Sequence, residues 1–323
     1  MPRGVRGCAG GLRSTWTDSM AEPSQQAYVA ASERGATGAG RSDSVVIGRR
    51  LSTAGGVAID GVDLSQPMSS TVKGRILAAF LEHHVVIFHN QNLTREQQFA
   101  FAAKFGEVEH SKSGQSVNKR YSVAHVISNL DGDGNPIDRS ASSVSNYNWH
   151  TDKPYYPSPP MMTTLYAVEM PPLGGDTQFA NMAMAYSALS APTKRQVADL
   201  RVVFRWGARR SPTDDPPVAA VQFRESVDHP LVRTHPETGK KALYLGNHAS
   251  HIKGLAVAEG CALLDELLAH ATQPQFVYTH RWRMGDLIMW DNRCLLHRAV
   301  ANFDMNRHRR ILHRTVVRGT IPF

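Results

Sequence analysis

The residues best placed to do chemistry lie in the segment 148–152, which reads Asn-Trp-His-Thr-Asp. On a strand, residues i and i+2 project from the same face, so His150 and Asp152 can direct an imidazole and a carboxylate at one point. A third ligand must come from elsewhere, and the best candidate is His297, which follows the apolar stretch 287–290. Two histidines and one carboxylate, with open positions left on the metal, form the ligand set of non-haem Fe(II) oxygenases.

The same ligand set leaves two other classes of protein open. Two histidines and a carboxylate also bind Zn²⁺ in hydrolases, and a β-rich core can be a non-catalytic binding module. The chain contains 15 histidines, so a His-x-Asp pair by itself is weak evidence for a metal site. A zinc hydrolase would be indifferent to O₂, which separates it experimentally from an oxygenase.

A basic cluster near the C-terminus supplies a second constellation. Residues 307–314 read Arg-His-Arg-Arg-Ile-Leu-His-Arg and run into a predicted strand. If Arg310 points inward, so does Arg314, because side chains on a strand alternate with a period of two. A buried arginine needs an anion, and its planar guanidinium matches a carboxylate through paired hydrogen bonds. Choosing Arg309 instead would select the opposite face of the strand, and the placement of Arg310 and Arg314 on one side favours Arg310.

The elements around these residues are predicted to be mainly short strands. The predicted strands occupy residues 84–88, 121–128, 163–168, 200–205, 231–235, 241–245, 276–283, 287–290 and 311–317, with a hairpin turn at 236–239. Helices are predicted at residues 71–83, from Thr94 to about Gly106 with a capping box of Thr94 and Gln97, at 182–189 and at 257–270. Many strands with a few flanking helices predict a mainly β fold with a double-stranded β-helix core, that is, a jelly-roll of the cupin-like kind.

Composition limits the domain organisation and the location. The chain has 323 residues, 41% of them hydrophobic, which is enough for a substantial core. Residues 1–43 are rich in Gly, Ala, Ser and Arg and are predicted to be a disordered extension, followed by one domain at residues 44–323. Neither a membrane span nor a secretory signal is recognisable, and Cys8, Cys261 and Cys294 are expected to be free thiols. These features predict a cytoplasmic protein.

The net charge of +8 bears on the class of partner. Basic residues are spread along the chain without the Lys/Arg-rich run that is typical of a nucleic-acid arm. The charge therefore favours a small anionic substrate or cosubstrate, with no nucleic acid and no membrane as partner. The sequence does not give the number of subunits, and a homo-oligomer is the base-rate expectation.

Several longer motifs resemble one known family. They are the segments 148–152, 171–177 (Pro-Pro-Leu-Gly-Gly-Asp-Thr), 231–236 (Leu-Val-Arg-Thr-His-Pro), 285–293 (Gly-Asp-Leu-Ile-Met-Trp-Asp-Asn-Arg) and 309–314. Together they make residues 45–323 resemble the taurine / 2,4-dichlorophenoxyacetate dioxygenase family of Fe(II)/2-oxoglutarate enzymes. The resemblance implies a jelly-roll dioxygenase that uses Fe(II), takes 2-oxoglutarate and O₂ as cosubstrates, and releases succinate and CO₂.

The resemblance also implies roles for individual residues. His150, Asp152 and His297 resemble the iron ligands of the family. Thr177 and Arg310 resemble the pair that holds the distal carboxylate of 2-oxoglutarate. This pair is what separates the oxygenase hypothesis from a zinc hydrolase, which has no use for it.

The resemblance disfavours taurine as the substrate. In this family taurine is recognised partly by a His and a Tyr shortly after a Phe-Gly-Glu that closes an early helix. Here Phe-Gly-Glu at residues 105–107 is followed by Val-Glu-His-Ser-Lys-Ser-Gly at 108–114, with a His out of step and no Tyr. Taurine is thus disfavoured as the substrate, and a taurine-like sulfonate dioxygenase is the alternative.

An aryloxyalkanoate-like carboxylate is the favoured substrate. The stretches 231–257 and 278–298 look closer to the members of the family that cleave aryloxyalkanoates. In those enzymes hydroxylation next to an ether oxygen gives a hemiacetal that falls apart to a phenol and an oxo-acid. Arg314 matches an arginine at the substrate's anionic group, and Asn146 and Lys112 are weaker candidates for the rim of the pocket.

Overall fold

The strands of the protein form one large sheet and three smaller ones. The computed structural model describes residues 46–109, 124–138, 144–206 and 226–323. The strands are β1 (Val46–Ser52), β2 (Gly55–Asp60), β3 (Val85–Phe88), β4 (His125–Ser128), β5 (Met162–Glu169), β6 (Thr177–Asn181), β7 (Arg201–Phe204), β8 (Val227–Pro230), β9 (Val232–Thr234), β10 (Lys241–Leu243), β11 (Ala249–Ile252), β12 (Val277–His280), β13 (Leu287–Asp291), β14 (Leu295–Ala299) and β15 (Ile311–Val317). The helices are α1 (Ser70–His83), α2 (Arg95–Ala102), α3 (Val144–Tyr147), α4 (Met182–Ala188), α5 (Ala191–Val197) and α6 (Val257–Ala271).

The strand orders define two facing layers. The large sheet runs β1-β2-β3-β13-β5-β15-β4, and the smaller sheets run β12-β6-β14, β11-β7-β8 and β10-β9. The extension predicted over residues 1–43 lies outside the described residues. The single domain predicted over residues 44–323 stays a prediction.

The large sheet is buried on both faces at its centre. In β3, Val85 and Ile87 point one way and Val86 and Phe88 the other, and all four side chains are buried. Helices α1 and α2 pack on the face of Val86 and Phe88, where the ring of Phe101 meets that of Phe88 edge-on with centroids 5.6 Å apart. This explains why β3 reads as a continuous apolar run rather than an alternating one.

The smaller sheets cover the opposite face. Phe179 of β6 and Leu296 of β14 belong to the same buried hydrophobic cluster as Ile288 and Trp290 of β13. Two sheets that enclose one core, with helices outside, are the architecture expected of a jelly-roll. The predicted fold class, mainly β with flanking helices around a double-stranded β core, is confirmed.

Helix α2 begins where the sequence predicts and ends early. The Thr94 side chain accepts from the backbone N–H of Gln97, and the Gln97 side chain accepts from that of Thr94, so the predicted capping box is confirmed. The helix ends at Ala102 rather than near Gly106. The N–H groups of residues 104 and 105 bond to carbonyls three residues back, which tightens the chain and stops the α-helix.

Most predicted strands are present, with shifted ends. The predicted strand 311–317 coincides with β15, and the hairpin predicted around residues 236–239 is confirmed by the antiparallel pairing of β9 with β10. The predicted strand 276–283 is reduced to β12, because its beginning belongs to a 3₁₀ turn at Pro274–Phe276. The sequence does not predict β14, because His297 and Arg298 follow its two leucines and mask its apolar character.

The described residues bear on two expectations, the absence of a membrane span and the state of the cysteines. In the part of the chain that the structure describes, no helix is long and apolar enough to cross a membrane. Cys261 and Cys294 are free thiols, as predicted. Cys8 lies outside the described residues.

His84 makes the fold sensitive to pH. It ends α1 in the left-handed conformation, with φ at 62°, and is almost completely buried. Burial penalises the charged imidazolium and lowers the pKa of His84 to about 4, although the charge of Asp291 opposes this. The unfolded chain therefore binds a proton at this histidine at higher pH than the folded protein does.

We expect the free energy of unfolding to fall as the pH falls from about 6.5 toward 4, because the unfolded chain then binds a proton at His84 that the folded protein does not. Between pH 7 and pH 5 this group alone should remove about 2 kcal/mol from the free energy of unfolding. His84→Asn, which tolerates the left-handed backbone, should lose less stability over that interval. Urea unfolding of both proteins at the two pH values measures the difference, and equal pH dependence would contradict the assignment.

Candidate active site

The three residues predicted as metal ligands lie together. One ligand atom from each of His150, Asp152 and His297 lies within 4.8 Å of the others, and all three side chains are buried. The centroids of the two imidazole rings are 4.1 Å apart, and Nε2 of His297 is 4.0 Å from Oδ1 of Asp152. These donor atoms converge without hydrogen-bonding one another.

Backbone pairing brings the two histidines together. The N–H of His150 donates to the carbonyl of His297 at 3.0 Å, and the N–H of His297 donates back at 2.7 Å. The expectation of a strand through Asp152 is wrong, because His150 forms an isolated bridge and the chain bends at Asp152, before Lys153 at a φ of 47°. Asp152 therefore reaches the site through a bend rather than through the alternation of a strand.

Both imidazoles are held in the neutral form that a metal requires. Nδ1 of His150 lies 2.8 Å from the carbonyl of Asn148, which can only accept, so Nδ1 carries the proton and Nε2 keeps its lone pair. Burial lowers the pKa of His150 and lowers that of His297 well below its usual value. The nearby Asp152 opposes both shifts.

The carboxylate of Asp152 is ionised in spite of its burial. Burial alone would raise its pKa, but Arg314, His297 and His150 together hold the pKa well below its usual range. Nη1 of Arg314 lies 3.4 Å from Oδ1, and the hydroxyl of Thr163 donates to Oδ2. Two neutral imidazoles and an ionised carboxylate are a donor set that fits a divalent transition metal.

A second group of buried side chains also brings ligand atoms within 4.8 Å of one another: His84, Asp291 and Cys294. Its carboxylate is already engaged. Oδ1 of Asp291 accepts from Nε of Arg293 at 2.8 Å, and Oδ2 accepts from Nη2 of Arg293 at 2.7 Å and from Nε2 of His235 at 2.8 Å. Because both oxygens of Asp291 are already taken by these donors, neither is open to a metal ion, and the group is structural.

A cavity of about 60 Å³ opens beside the three predicted ligands. Its lining residues are Ile127, Ser128, Asn129, Asn146, Tyr147, His150, Leu165, Thr177, Trp290, His297, Ala299, Arg310, Leu312 and Arg314. On β15 and just before it, Arg310, Leu312 and Arg314 alternate with residues that point elsewhere, so the predicted period of two holds. The cavity thus joins both constellations that the sequence indicates.

Arg310 is buried in this cavity. Its Nε donates to the carbonyl of Gly175 at 2.9 Å, and no carboxylate of the described residues pairs with it. Burial lowers the pKa of Arg310 to about 10, which leaves it charged at neutral pH. Arg309 instead lies outside, half exposed, with Nε 3.1 Å from Glu169. The cavity therefore presents one charged arginine that has no counter-ion from those parts of the chain.

Thr177 stands next to Arg310 as the first residue of β6. Its hydroxyl oxygen accepts from the indole N–H of Trp282 at 2.9 Å and, at a longer 3.4 Å, from Nη2 of Arg310. With both lone pairs facing donors, the hydroxyl hydrogen is left to donate to a ligand. Arg310 and Thr177 can thus present several donors to one carboxylate.

The Gly-Gly turn before Thr177 shapes this corner. Gly174 and Gly175 have φ values of 78° and 70°. A Cβ on Gly174 would lie 2.1 Å from the carbonyl oxygen of Asn302, and one on Gly175 would lie 3.2 Å from Cδ of Arg310. The Asn302 side chain locks the turn by accepting from the N–H of Gly175 at 2.8 Å.

Two of the three residues predicted to bind the substrate line the cavity. Arg314 and Asn146 line the cavity, and about a quarter of the Arg314 side chain is exposed. Lys112 lies outside the described residues. The candidates for the anionic end of the substrate are thus two cavity residues and one residue without a described position.

Sequence reasoning missed the residues that support this cavity. Asn129 donates to the carbonyls of Met305 and His308 and accepts from the N–H of Arg310 at 2.7 Å. Its whole side-chain amide is thus used to fix the segment that leads into β15. Trp282, 105 positions from Thr177, carries no signal of its own in the sequence. The motif 171–177 gives no sign of the Asn302 side chain that holds its turn.

Comparison with known proteins decides the family. Residues 48–316 match the model of the family described as Taurine catabolism dioxygenase TauD, TfdA family. The chain belongs to this family. It is 39% identical to the alpha-ketoglutarate-dependent 2,4-dichlorophenoxyacetate dioxygenase of Cupriavidus pinatubonensis over 80% of this chain and 93% of that protein. It is 36% identical to the (S)-phenoxypropionate/alpha-ketoglutarate-dioxygenase of Sphingobium herbicidovorans over 73% of this chain and 83% of that protein.

A solved structure agrees with the fold. The crystal structure of AAD-2 in complex with Mn(II) and N-oxalylglycine is 36% identical, with a TM-score of 0.75 over 86% of this chain and 98% of that one. The chain is therefore a jelly-roll dioxygenase that depends on 2-oxoglutarate (alpha-ketoglutarate), with Fe(II) as its metal and O₂ as the second cosubstrate. The alternatives of a zinc hydrolase and of a non-catalytic binding module are set aside.

We expect Gly174→Ala to destabilise the protein more than Gly239→Ala does. Both glycines have positive φ, but the space around Gly239 is open, with no described atom within 4 Å of an added Cβ. Gly239→Ala should cost about 1–2 kcal/mol of unfolding free energy from backbone strain. Gly174→Ala should cost roughly 1–3 kcal/mol more, because the carbonyl of Asn302 must move. Urea unfolding measures the free energy of unfolding of both variants. Equal losses would show that the turn at Gly174 can shift to accept a Cβ at no extra cost.

Proposed function

We propose that this dioxygenase hydroxylates a small carboxylate of the aryloxyalkanoate class. The observation that carries the proposal is the position of Arg314, a cation in the cavity wall whose Nη1 is 3.4 Å from Asp152. A substrate carboxylate on Arg314 would lie beside the proposed metal ligands, which would bring the neighbouring carbon of the substrate into the same cavity. The named activities of the relatives, which act on 2,4-dichlorophenoxyacetate and (S)-phenoxypropionate, support the same class.

We assign the metal to His150, Asp152 and His297. The neutral imidazoles and the ionised carboxylate support the assignment, as does the absence of hydrogen bonds among their converging atoms. These three residues would hold the ion from one side and leave positions on it open.

We assign the distal carboxylate of 2-oxoglutarate to Arg310 and Thr177. Arg310 is a buried cation that lacks a carboxylate among the described residues, and Thr177 has a hydroxyl hydrogen to give. Bidentate pairing with a guanidinium suits a carboxylate of fixed orientation. The two residues would hold the far end of the cosubstrate while its oxo-acid end reaches the metal.

The protein's contribution is position and charge. Bound Fe(II), with 2-oxoglutarate and O₂, supplies the oxidising power that replaces a C–H bond of the substrate by C–OH. His150 and His297 remain neutral and Asp152 anionic throughout, so they hold the metal without exchanging protons. Arg314 orients the substrate anion, and Asn146 borders the cavity beside it. Hydroxylation next to an ether oxygen would give a hemiacetal that separates into a phenol and an oxo-acid.

Three further expectations stay proposals. A small organic anion as the partner agrees with the relatives, whose named substrates are of that kind. A cytoplasmic location and assembly as a homo-oligomer rest on the sequence and on base rates alone.

The substrate class is tested with a panel of phenoxyacetates, other carboxylates and taurine. We expect substrate-dependent succinate formation with phenoxyacetates and none with taurine. Arg314→Ala should raise the KM for the carboxylate by more than about tenfold, because a charge-assisted hydrogen bond contributes about 1.5–3 kcal/mol. Strong turnover of taurine without turnover of carboxylates would overturn the choice in favour of the sulfonate alternative.

The metal assignment predicts that Asp152→Ala and His297→Ala lose Mn(II) binding and Fe(II)-dependent succinate release. The fold should persist, since neither substitution opens the hydrophobic core. Calorimetric titration with Mn(II) and circular dichroism measure the two effects. His251→Ala, a partly buried histidine away from the cavity lining, is the control and should bind Mn(II) as the wild type does. Undiminished Mn(II) binding by either ligand variant would refute the assignment.

The cosubstrate assignment predicts that Arg310→Ala weakens 2-oxoglutarate binding by about a hundredfold or more. A carboxylate left without its buried partner costs on the order of 3–5 kcal/mol. Anaerobic titration of the Fe(II) protein, followed by visible absorption, gives the affinity. Arg309→Ala, whose arginine pairs with Glu169 outside the cavity, should be unaffected. A 2-oxo acid without a distal carboxylate should bind wild type and Arg310→Ala alike. A large effect at Arg309 instead would place the other arginine in the site.

A further inference from the structure

A chain of three hydrogen bonds ends on the carboxylate of Asp152. The indole N–H of Trp290 donates to Oδ1 of Asn292 at 2.9 Å. Nδ2 of Asn292 donates to the hydroxyl oxygen of Thr163, also at 2.9 Å. The hydroxyl of Thr163 in turn donates to Oδ2 of Asp152. All four side chains are buried, with at most 5% of their surface exposed.

The direction of this chain is fixed by chemistry at its first link. An indole N–H can only donate, so the Asn292 atom that faces Trp290 must be the amide oxygen. The amide nitrogen then faces Thr163, and because an amide nitrogen does not accept, the Thr163 oxygen must. The Thr163 hydrogen is thereby left for the ionised carboxylate. Each donor already has an acceptor, and breaking any of the three hydrogen bonds would leave a buried polar group unpaired.

The two oxygens of Asp152 consequently have different surroundings. Oδ2 is covered by Thr163, whereas Oδ1 lies 4.0 Å from Nε2 of His297 and 3.4 Å from Nη1 of Arg314. Oδ1 is the oxygen turned toward the other proposed ligands. Rotating the carboxylate to present both oxygens to a metal would disturb the hydrogen bond from Thr163 to Oδ2.

We propose that Thr163 is a positioning residue for the metal, oriented by Asn292 and Trp290, which reserves Oδ1 of Asp152 as a single-oxygen ligand. The inference deepens the proposed function and rests on Asp152 being a metal ligand. In this arrangement Oδ1 of Asp152 binds the metal, and the hydrogen bond from Thr163 keeps Oδ2 away from it. A carboxylate that supplies one oxygen leaves the remaining metal positions open for cosubstrate.

Asn292 strengthens the arrangement through its backbone. Its carbonyl accepts from the hydroxyl of Thr151 at 2.9 Å, and Thr151 lies between the ligands His150 and Asp152. One asparagine therefore ties down both the chain that carries two ligands and the side chain that orients one of them. This accounts for the placement of Asn292 directly after β13, within the motif at residues 285–293.

The neighbouring residue of β5 offers a matched control. Thr164 is equally buried but points to the opposite face, where its hydroxyl bonds to that of Thr315 at 2.6 Å and accepts from Gln98 at 3.0 Å. Thr163→Val and Thr164→Val each remove one buried hydroxyl from the same strand. Both substitutions should lower stability, but only Thr163→Val should weaken metal binding.

The first measurement is the affinity of the full-length protein for Mn(II), by calorimetric titration. We expect Thr163→Val to weaken Mn(II) binding by about 10–100-fold, the usual effect of losing a group that orients a metal ligand. Thr163→Ser, which keeps the hydroxyl, should restore the wild-type affinity, and Thr164→Val should leave it unchanged. Thr163→Ala gives a second truncation in case valine prevents folding.

The second measurement needs no metal. The chain has five tryptophans, and the indole ¹⁵N–¹H signal of Trp290 in the metal-free protein is identified by its loss in Trp290→Phe. Since Trp290 starts the chain of hydrogen bonds, Thr163→Val should shift this signal and speed its exchange with solvent. Thr163→Ser and Thr164→Val should not.

The outcomes separate the inference from the assignment on which it rests. If Asp152→Ala binds Mn(II) as the wild type does, the proposed ligand set itself is wrong. If Asp152→Ala loses binding while Thr163→Val keeps it, the ligand set stands and the positioning role is overturned. Equal losses at Thr163 and Thr164, failure of Thr163→Ser to rescue, or an unmoved Trp290 signal in Thr163→Val would overturn it as well.

Discussion

The pair of backbone hydrogen bonds between His150 and His297 is the constraint on which the site depends. It joins two distant parts of the sequence at the point where both carry an imidazole. Because His150 is not part of a longer strand, neighbours must hold it in place: the Arg298 guanidinium lies 4.6 Å from the centre of the Trp149 ring, and Gly246 lets its backbone approach residues 149 and 150 closely. The geometry of the proposed ligands thus depends on backbone pairing and tertiary contacts rather than on one sequence motif.

Charge is distributed around this pair so that each buried group has a definite state. Asp152 is ionised because the charge of Arg314 lies beside it and Thr163 donates to it, and the histidines are neutral because they are buried. Arg310 is the exception, a buried cation with which no described carboxylate forms an ion pair. The proposed cosubstrate, a dicarboxylate, would supply the negative charge that Arg310 lacks.

The sequence predicts well what depends on periodicity and poorly what depends on distant contacts. Strand β15, the capping box of α2 and the inward face shared by Arg310 and Arg314 follow from local rules, and the structure agrees. The path through Asp152 was expected to be a strand, yet the chain bends there, since tertiary contacts replace the ladder. Trp282 has no local pattern that marks its bond to Thr177 and becomes recognisable only when β6 and β12 pair.

The unpaired charge of Arg310 has a thermodynamic consequence for the free protein. A buried cation without a counter-ion costs folding energy, so the ligand-free form is less stable than its hydrophobic core alone would allow. Any dicarboxylate that binds this cavity adds RT ln(1 + [L]/Kd) to the free energy of unfolding. In the cell, the lifetime of the folded chain would then follow the local concentration of such metabolites, and the protein would persist best where it can work.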